Sequence, residues 1–217
     1  MYRYLLFDLD GTLTNSEEGI TKSIDHALRQ VVGIETADLT TLRPYIGPSL
    51  QDGFMEHHKL DYETARQCKY AYRERFSTVG LYENSVYEGI PHALELLRDT
   101  GRKLVVATAK PQVFAKRILD HFDLSQYFAA ICGSTLDEKV NKKEQVIALA
   151  LEVLDNPPAE EVIMVGDRRH DVHGAAVHGI ETLGVLYGFG GMEELTKAGA
   201  CATAETVEEM TAWLLAH

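Results

Sequence analysis

Short apolar runs, each ending in small or polar residues, recur along the chain: "YLLFDL" at 4–9, "KLVVAT" at 103–108, "EVIMVG" at 161–166 and "ETLGVLY" at 181–187, with "FAAICG" at 128–133 a weaker fifth. Brief runs rich in Val, Ile and Leu are what central parallel strands look like, because both faces of such a strand are covered. Between them lie helical patterns at 91–98, 111–121, 143–154 and 171–178; the first, "PHALELLR", carries Pro at its first turn and apolar residues at Ala93, Leu94, Leu96 and Leu97. Strand and helix alternating at this spacing predict an α/β fold, a Rossmann-like parallel sheet covered by helices on both faces. One stretch breaks the alternation. From about 16 to 82 only helical patterns appear, at 20–32, 50–58 and 62–79, interrupted at Gly33 and at "PYIGPS", 44–49. The expectation is an all-helical domain at 16–82 inserted after the first strand, into a core domain made of 1–15 and 83–217.

Composition narrows the partners. The 217 residues include 33 acidic and 21 basic ones, a formal net charge of -12. That balance argues against a broad surface for a nucleic-acid polymer or an anionic membrane, yet a few local cations or a metal can reverse the sign inside one pocket. Cys68, Cys132 and Cys201 show neither a CxxC pair nor a zinc spacing and read as reduced thiols. The N-terminal apolar run is broken by Asp8 and Asp10, unlike a signal peptide, and no stretch approaches the roughly 20 apolar residues of a membrane span. A cytoplasmic protein, monomeric by default with a dimer as the alternative, is expected.

The chemistry concentrates where strands end. Asp8 and Asp10 lie two residues apart and share a strand face, with Gly11 and Thr12 permitting a sharp turn after them. Open α/β sheets bind ligands at that end. Asp167 follows another run, and Asp171 lies four residues on, one helical turn away. Taken singly, each pair also reads as turn aspartates or helix-start acids. Four acids converging on one crevice need a compensating charge, and hard oxygen ligands suit Mg²⁺. Mg²⁺ held by few carboxylates takes further ligands from water and phosphate, so the partner expected is a small phosphate ester. Thr108 ends its strand in the same crevice with a hydroxyl to donate; Lys143 opens a helix, where anions are favoured. Lys139 and Lys142 compete with Lys143, and Lys110 can also reach the site.

These stretches, in order, are "DLDGT" (8–12), "VVAT" ending at Thr108, a lysine near 143 and "GDRRHD" (166–171). Together they resemble the four motifs of the haloacid dehalogenase superfamily, in its phosphatase branch with a helical cap after the first strand. "YIGPSL" and "GVLYGFGGMEEL" are similar to its phosphoglycolate phosphatase-like and nucleotidase-like subgroup. Ala109 stands where Asn is commoner, and Asn15 where many relatives have Asp. The resemblance implies a phosphatase acting on small phosphomonoesters through an aspartyl phosphate. Asp8 would be the nucleophile and Asp10 the general acid, then base. Mg²⁺ would sit on the Asp8 side chain, the Asp10 carbonyl and Asp167, with Asp171 behind these or reaching through water. Thr108, Ala109 and Lys143 would hold the phosphate, and Gly47 and Pro48 in the cap would face the substrate. Arg43 and Lys22 could bind a second anionic group, although surface solvation suits both. The intact Asp10 speaks against dehalogenase and phosphonate-hydrolase chemistry. A phosphosugar mutase of the same family and a catalytically idle binding protein are the alternatives.

Overall fold

The computed structural model describes residues 1–47 and 49–217, so Pro48 lies outside the described residues. The chain divides into two compact units, Met1–Asn15 with Val86–His217, and Ser16–Ser85.

The first unit is built on a parallel sheet. Its strands are β1 (Tyr4–Phe7), β4 (Lys103–Pro111), β5 (Ala130–Ser134), β6 (Val162–Gly166), β7 (Glu181–Val185) and β8 (Ala202–Ala204), in the order β5-β4-β1-β6-β7-β8. The short strands β2 (Thr14–Asn15) and β3 (Ser85–Val86) lie outside this sheet, where the chain passes between units. Every neighbouring pair in the large sheet runs parallel; Leu5, for example, stands beside Leu104 on one side and Ile163 on the other. Leu5, Leu6 and Phe7 are fully buried, as are Val162 to Val165, the burial on both faces that the apolar runs predicted. On one face Leu6, Val105, Ala107, Val162 and Met164 pack with Val146, Ile147 and Ala150 of α6 (Lys143–Val153) and Ala175 of α7 (Arg169–Ala176). Helices α4 (Ile90–Asp99) and α9 (Val207–Ala216) pack together, α4 also touching β4 and α9 touching β7 and β8. Helices α5 (Gln112–His121) and α8 (Met192–Ala198) complete the unit.

The strand order fixes where a ligand binds. From central β1 the chain builds outward through β4 and β5 on one side and through β6, β7 and β8 on the other. In open α/β sheets the ligand site lies at such a reversal of strand order, here beyond the C-terminal ends of β1, β4 and β6.

The second unit is helical: α1 (Glu17–Val32), a 3₁₀ turn at Leu39–Tyr45, α2 (Leu50–His58), α3 (Tyr62–Arg75) and a π turn at Phe76–Gly80. Helix α1 packs along α3, and α2 against α3, burying Ile24, Leu28, Phe54, Cys68 and Tyr72 among others. Helix α1 ends at Gly33, whose left-handed φ of 71° lets its N–H close back on the Leu28 carbonyl. Asp61 caps α3, accepting the N–H groups of Glu63 and Thr64. Among the described residues, no helix of either unit is long and apolar enough to cross a membrane.

Candidate active site

Strand β1 stops at Phe7, and the next residue delivers a carboxylate. The Asp8 N–H still bonds the Val165 carbonyl at 2.9 Å, which ties Asp8 to the end of β6. After Asp10 the chain reverses: Gly11, with φ 87°, donates to Thr14 O, while Thr12, Leu13 and Thr14 all donate to Leu9 O.

Asp167 follows β6 directly and is fully buried; Asp171, one turn into α7, is almost as deep. The Asp171 Oδ2 accepts the Arg168 N–H at 3.0 Å and so caps its own helix. One carboxylate oxygen from each of Asp8, Asp167 and Asp171 lies within 4.8 Å of the others. Lys143, the first residue of α6, reaches into this cluster and is itself buried. Its Nζ donates to Asp8 Oδ1 at 2.7 Å and to the Ala107 carbonyl at 3.0 Å, and touches Asp171 Oδ1 at 2.6 Å. Lys142 is exposed at the cap of α6, and Lys139 pairs with Asp137 at the surface. Of the three competing lysines, Lys143 is the one at the carboxylates.

Three carboxylates around one ammonium leave the cluster short of positive charge. The Asp8 carboxyl is raised to about 6: burial is the main upward push, Lys143 pulls against it, and the charges of Asp171 and Asp10 add to the rise. Asp167 is held well above the ordinary carboxylate range, by burial first and then by the charges of Asp171 and Asp8. For Lys143, burial works against the charged form, and the adjacent Asp171 and Asp8 more than reverse it, so the ammonium is firmly held. The remaining deficit is visible on Asp167. Its Oδ2 accepts the Phe189 N–H at 2.7 Å, but its buried Oδ1 has no hydrogen-bond partner. An orphaned, buried carboxyl oxygen beside two further carboxyl groups is a donor set suited to a small, hard divalent cation.

The loop after β7, "YGFGG", backs Asp167, a role that no single residue type announced. A Cβ on Gly188 would stand 2.3 Å from the Gly11 carbonyl and 2.4 Å from the Asp167 Cβ. Only glycine lets this backbone lie flat enough for the Phe189 N–H to reach the carboxylate. The density of glycines in the loop was the signal available in the sequence.

Thr108 is buried near the end of β4, where its Oγ1 accepts the Lys110 N–H at 3.2 Å, leaving the hydroxyl hydrogen to donate elsewhere. Ala109 is partly exposed beside it. The Asp10 side chain does not join the acidic cluster; both of its oxygens meet Lys110. Gly47 belongs to the helical unit, exposed and with φ 109°. Arg43 pairs with Glu17, and Lys22 with Glu18 and Glu83, all within that unit.

Comparison with known proteins agrees with this geometry. The sequence profile of the family described as haloacid dehalogenase-like hydrolase matches residues 5–185. A 5'-nucleotidase of Pseudomonas aeruginosa is 46% identical over 194 residues, 89% of this chain and 87% of the relative. The tyrosine-protein kinase PtkA of Mycobacterium tuberculosis is 39% identical over 209 residues, 95% of this chain and 70% of the relative. Among solved structures, a predicted phosphatase from Clostridium acetobutylicum superposes with a TM-score of 0.96 at 47% identity, covering 100% of both chains.

Proposed function

The chain belongs to the haloacid dehalogenase-like hydrolase family, and we propose that it is a Mg²⁺-dependent phosphatase that hydrolyses small phosphomonoesters through an aspartyl phosphate. Nucleoside 5'-monophosphates come first among the substrates, since the Pseudomonas relative is named a 5'-nucleotidase; phosphoglycolate comes second, on a 31% identical relative named for it. The observation that carries the reading is the cluster itself: buried Asp8, Asp167 and Asp171 around a single lysine, with Asp167 Oδ1 unsatisfied.

In the proposed reaction Asp8 attacks phosphorus, forming a bond from its carboxylate oxygen as the bond to the leaving alkoxide breaks. Asp10 gives its proton to that oxygen. In the second half Asp10 takes a proton from water, whose oxygen attacks the same phosphorus; the bond to Asp8 breaks and inorganic phosphate departs. Lys143 and the Thr108 hydroxyl hold the transferring oxygens, where charge stabilisation carries most of the rate. Asp8, Asp167 and the Asp10 carbonyl would hold Mg²⁺, with Asp171 fixing Lys143 behind them. When bound, the ion neutralises charge on the phosphoryl oxygens and on the clustered acids. The helical unit, residues 16–85, acts as a cap in this reading, with Gly47 on its substrate loop; 1–15 and 86–217 form the catalytic core.

The test is phosphate release from a panel of nucleoside monophosphates, phosphoglycolate and sugar phosphates, with and without Mg²⁺. Release that needs the metal and vanishes in Asp8→Asn supports the proposal. Conversion of a hexose 1-phosphate to its 6-phosphate without release would replace it with a mutase.

A further inference from the structure

Lys110 has no part in the scheme above, yet it makes a part-buried contact with one of its central groups. Its Nζ lies 2.9 Å from Asp10 Oδ1 and 2.7 Å from Oδ2, with side-chain exposures of 5% for the lysine and 13% for the aspartate. The two residues are 100 apart in sequence, so the fold and not local chain geometry brings them together. The backbone is shaped for it. The register between β4 and β5 shifts between Thr108 and Pro111, an irregularity that re-aims side chains at the rims of sheets. Lys110 is anchored there by its N–H on Thr108 Oγ1. Its carbonyl lies so close to Gly133 that a Cβ at that position would come within 2.7 Å.

Such a pair is weak evidence for stability. Desolvation offsets much of the attraction between buried charges, and a lysine stem gives up rotamer freedom to be held. Its consequence is better sought in direction. A carboxylate three residues after a strand end turns about two side-chain bonds; gripped through both oxygens, it keeps one orientation. That grip also holds the Asp10 carboxylate out of the acidic cluster, whose own lysine is Lys143.

We propose that Lys110 is a positioning residue, whose ammonium grips both oxygens of Asp10 and sets the carboxylate where it exchanges a proton with the leaving oxygen of the ester. The kinetic consequence rests on the phosphatase reading; the orientation of Asp10 does not.

Two esters separate this role from a merely structural one. AMP expels an alkoxide that needs a proton as it leaves, whereas p-nitrophenyl phosphate expels a phenolate that needs almost none. In the presence of Mg²⁺, kcat/KM reports the steps through the first phosphoryl transfer, before the intermediate common to both esters is hydrolysed. Lys110→Met is expected to lower kcat/KM for AMP by about 10- to 100-fold, a part of the roughly 10²- to 10⁴-fold that a general acid contributes, and for p-nitrophenyl phosphate by less than about threefold. Lys110→Arg should recover part of the loss on AMP. Equal losses on both esters would overturn the proposal. Lys110→Gln serves if the Met variant fails to fold. A crystal structure of the variant supplies the second readout: Asp10 turned from its present rotamer supports the proposal, and an unmoved Asp10 overturns it. Should the wild type release phosphate from neither ester, the phosphatase reading fails, while the rotamer of Asp10 still decides the role of Lys110.

Discussion

Lys143 and Lys110 each bury an ammonium against carboxylate at the C-terminal end of the sheet, and the two surroundings differ in charge balance. Lys143 is shared between Asp8 and Asp171, with Asp167 close by and one oxygen of Asp167 left without a partner. Lys110 contacts both oxygens of the Asp10 carboxylate. The first group sets three buried carboxyls around one ammonium; the second sets one ammonium against both oxygens of one carboxylate. Burial accordingly pushes Asp8 and Asp167 upward. The difference separates two surroundings that sequence proximity conflates: Asp8 and Asp10 are neighbours in the chain, but Asp8 shares the Lys143 ammonium with Asp171, whereas Asp10 meets Lys110 through both of its oxygens.

Breaking the first group should cost most. Asp8→Asn removes the proposed nucleophile and should lower phosphate release by at least about 10³-fold, measured as kcat on AMP with saturating Mg²⁺. Asp167→Asn keeps the shape but not the charge of the orphaned oxygen. The Mg²⁺ concentration for half-maximal activity should rise by about 10- to 100-fold, and Mn²⁺ binding followed by calorimetry should weaken in parallel. Unchanged metal binding would mean that the incomplete group is not a cation site. Gly188→Ala forces the loop off Asp167, so a smaller loss of metal affinity is expected, about tenfold at most, with folding retained.

The smallest effect sharpens the electrostatic half of the comparison. With its carboxyl raised to about 6, Asp8 binds its proton more tightly in the folded than in the unfolded chain. The folded state therefore carries the extra proton between roughly pH 4 and 6, and metal-free stability falls as pH rises through that window. Asp8→Asn, neutral at every pH, should raise the metal-free Tm by about 2–4 °C at pH 7.5 for each kcal/mol relieved, a gain that shrinks toward pH 4. Thermal denaturation in EDTA at both pH values measures it. A gain that is the same at both would place the cost of Asp8 in packing rather than charge.

How much of this was legible depended on range. The α/β class followed from apolar runs, because a strand covered on both faces cannot hide its composition: β1, β4, β6 and β7 each lie within or around a run read from the sequence. Strand β8 escaped, since "ATA" offers three small residues and no periodicity, and α8 and α9 after the glycine-rich loop went unassigned. Helix α7 opens two residues earlier than its apolar pattern suggested, because the Asp171 carboxylate caps the N-terminus from inside the first turn. The carboxylates were visible by their spacing at strand ends. What they touch was not. Lys110 was legible as able to reach the site, but its grip on Asp10, from the stretch where β4 and β5 shift register, was not. The Phe189 N–H is backbone, which no side-chain pattern reveals.

The brevity of β8 has a consequence beyond its invisibility. It is the outermost strand on one side of the sheet, and it is only three residues long, where β7 beneath it has five. A border that short offers an incoming extended chain few main-chain groups in register to dock on, which is one way sheet proteins avoid polymerising through their margins. Lengthening it with two or three β-branched residues would create an adhesive rim along that side of the sheet.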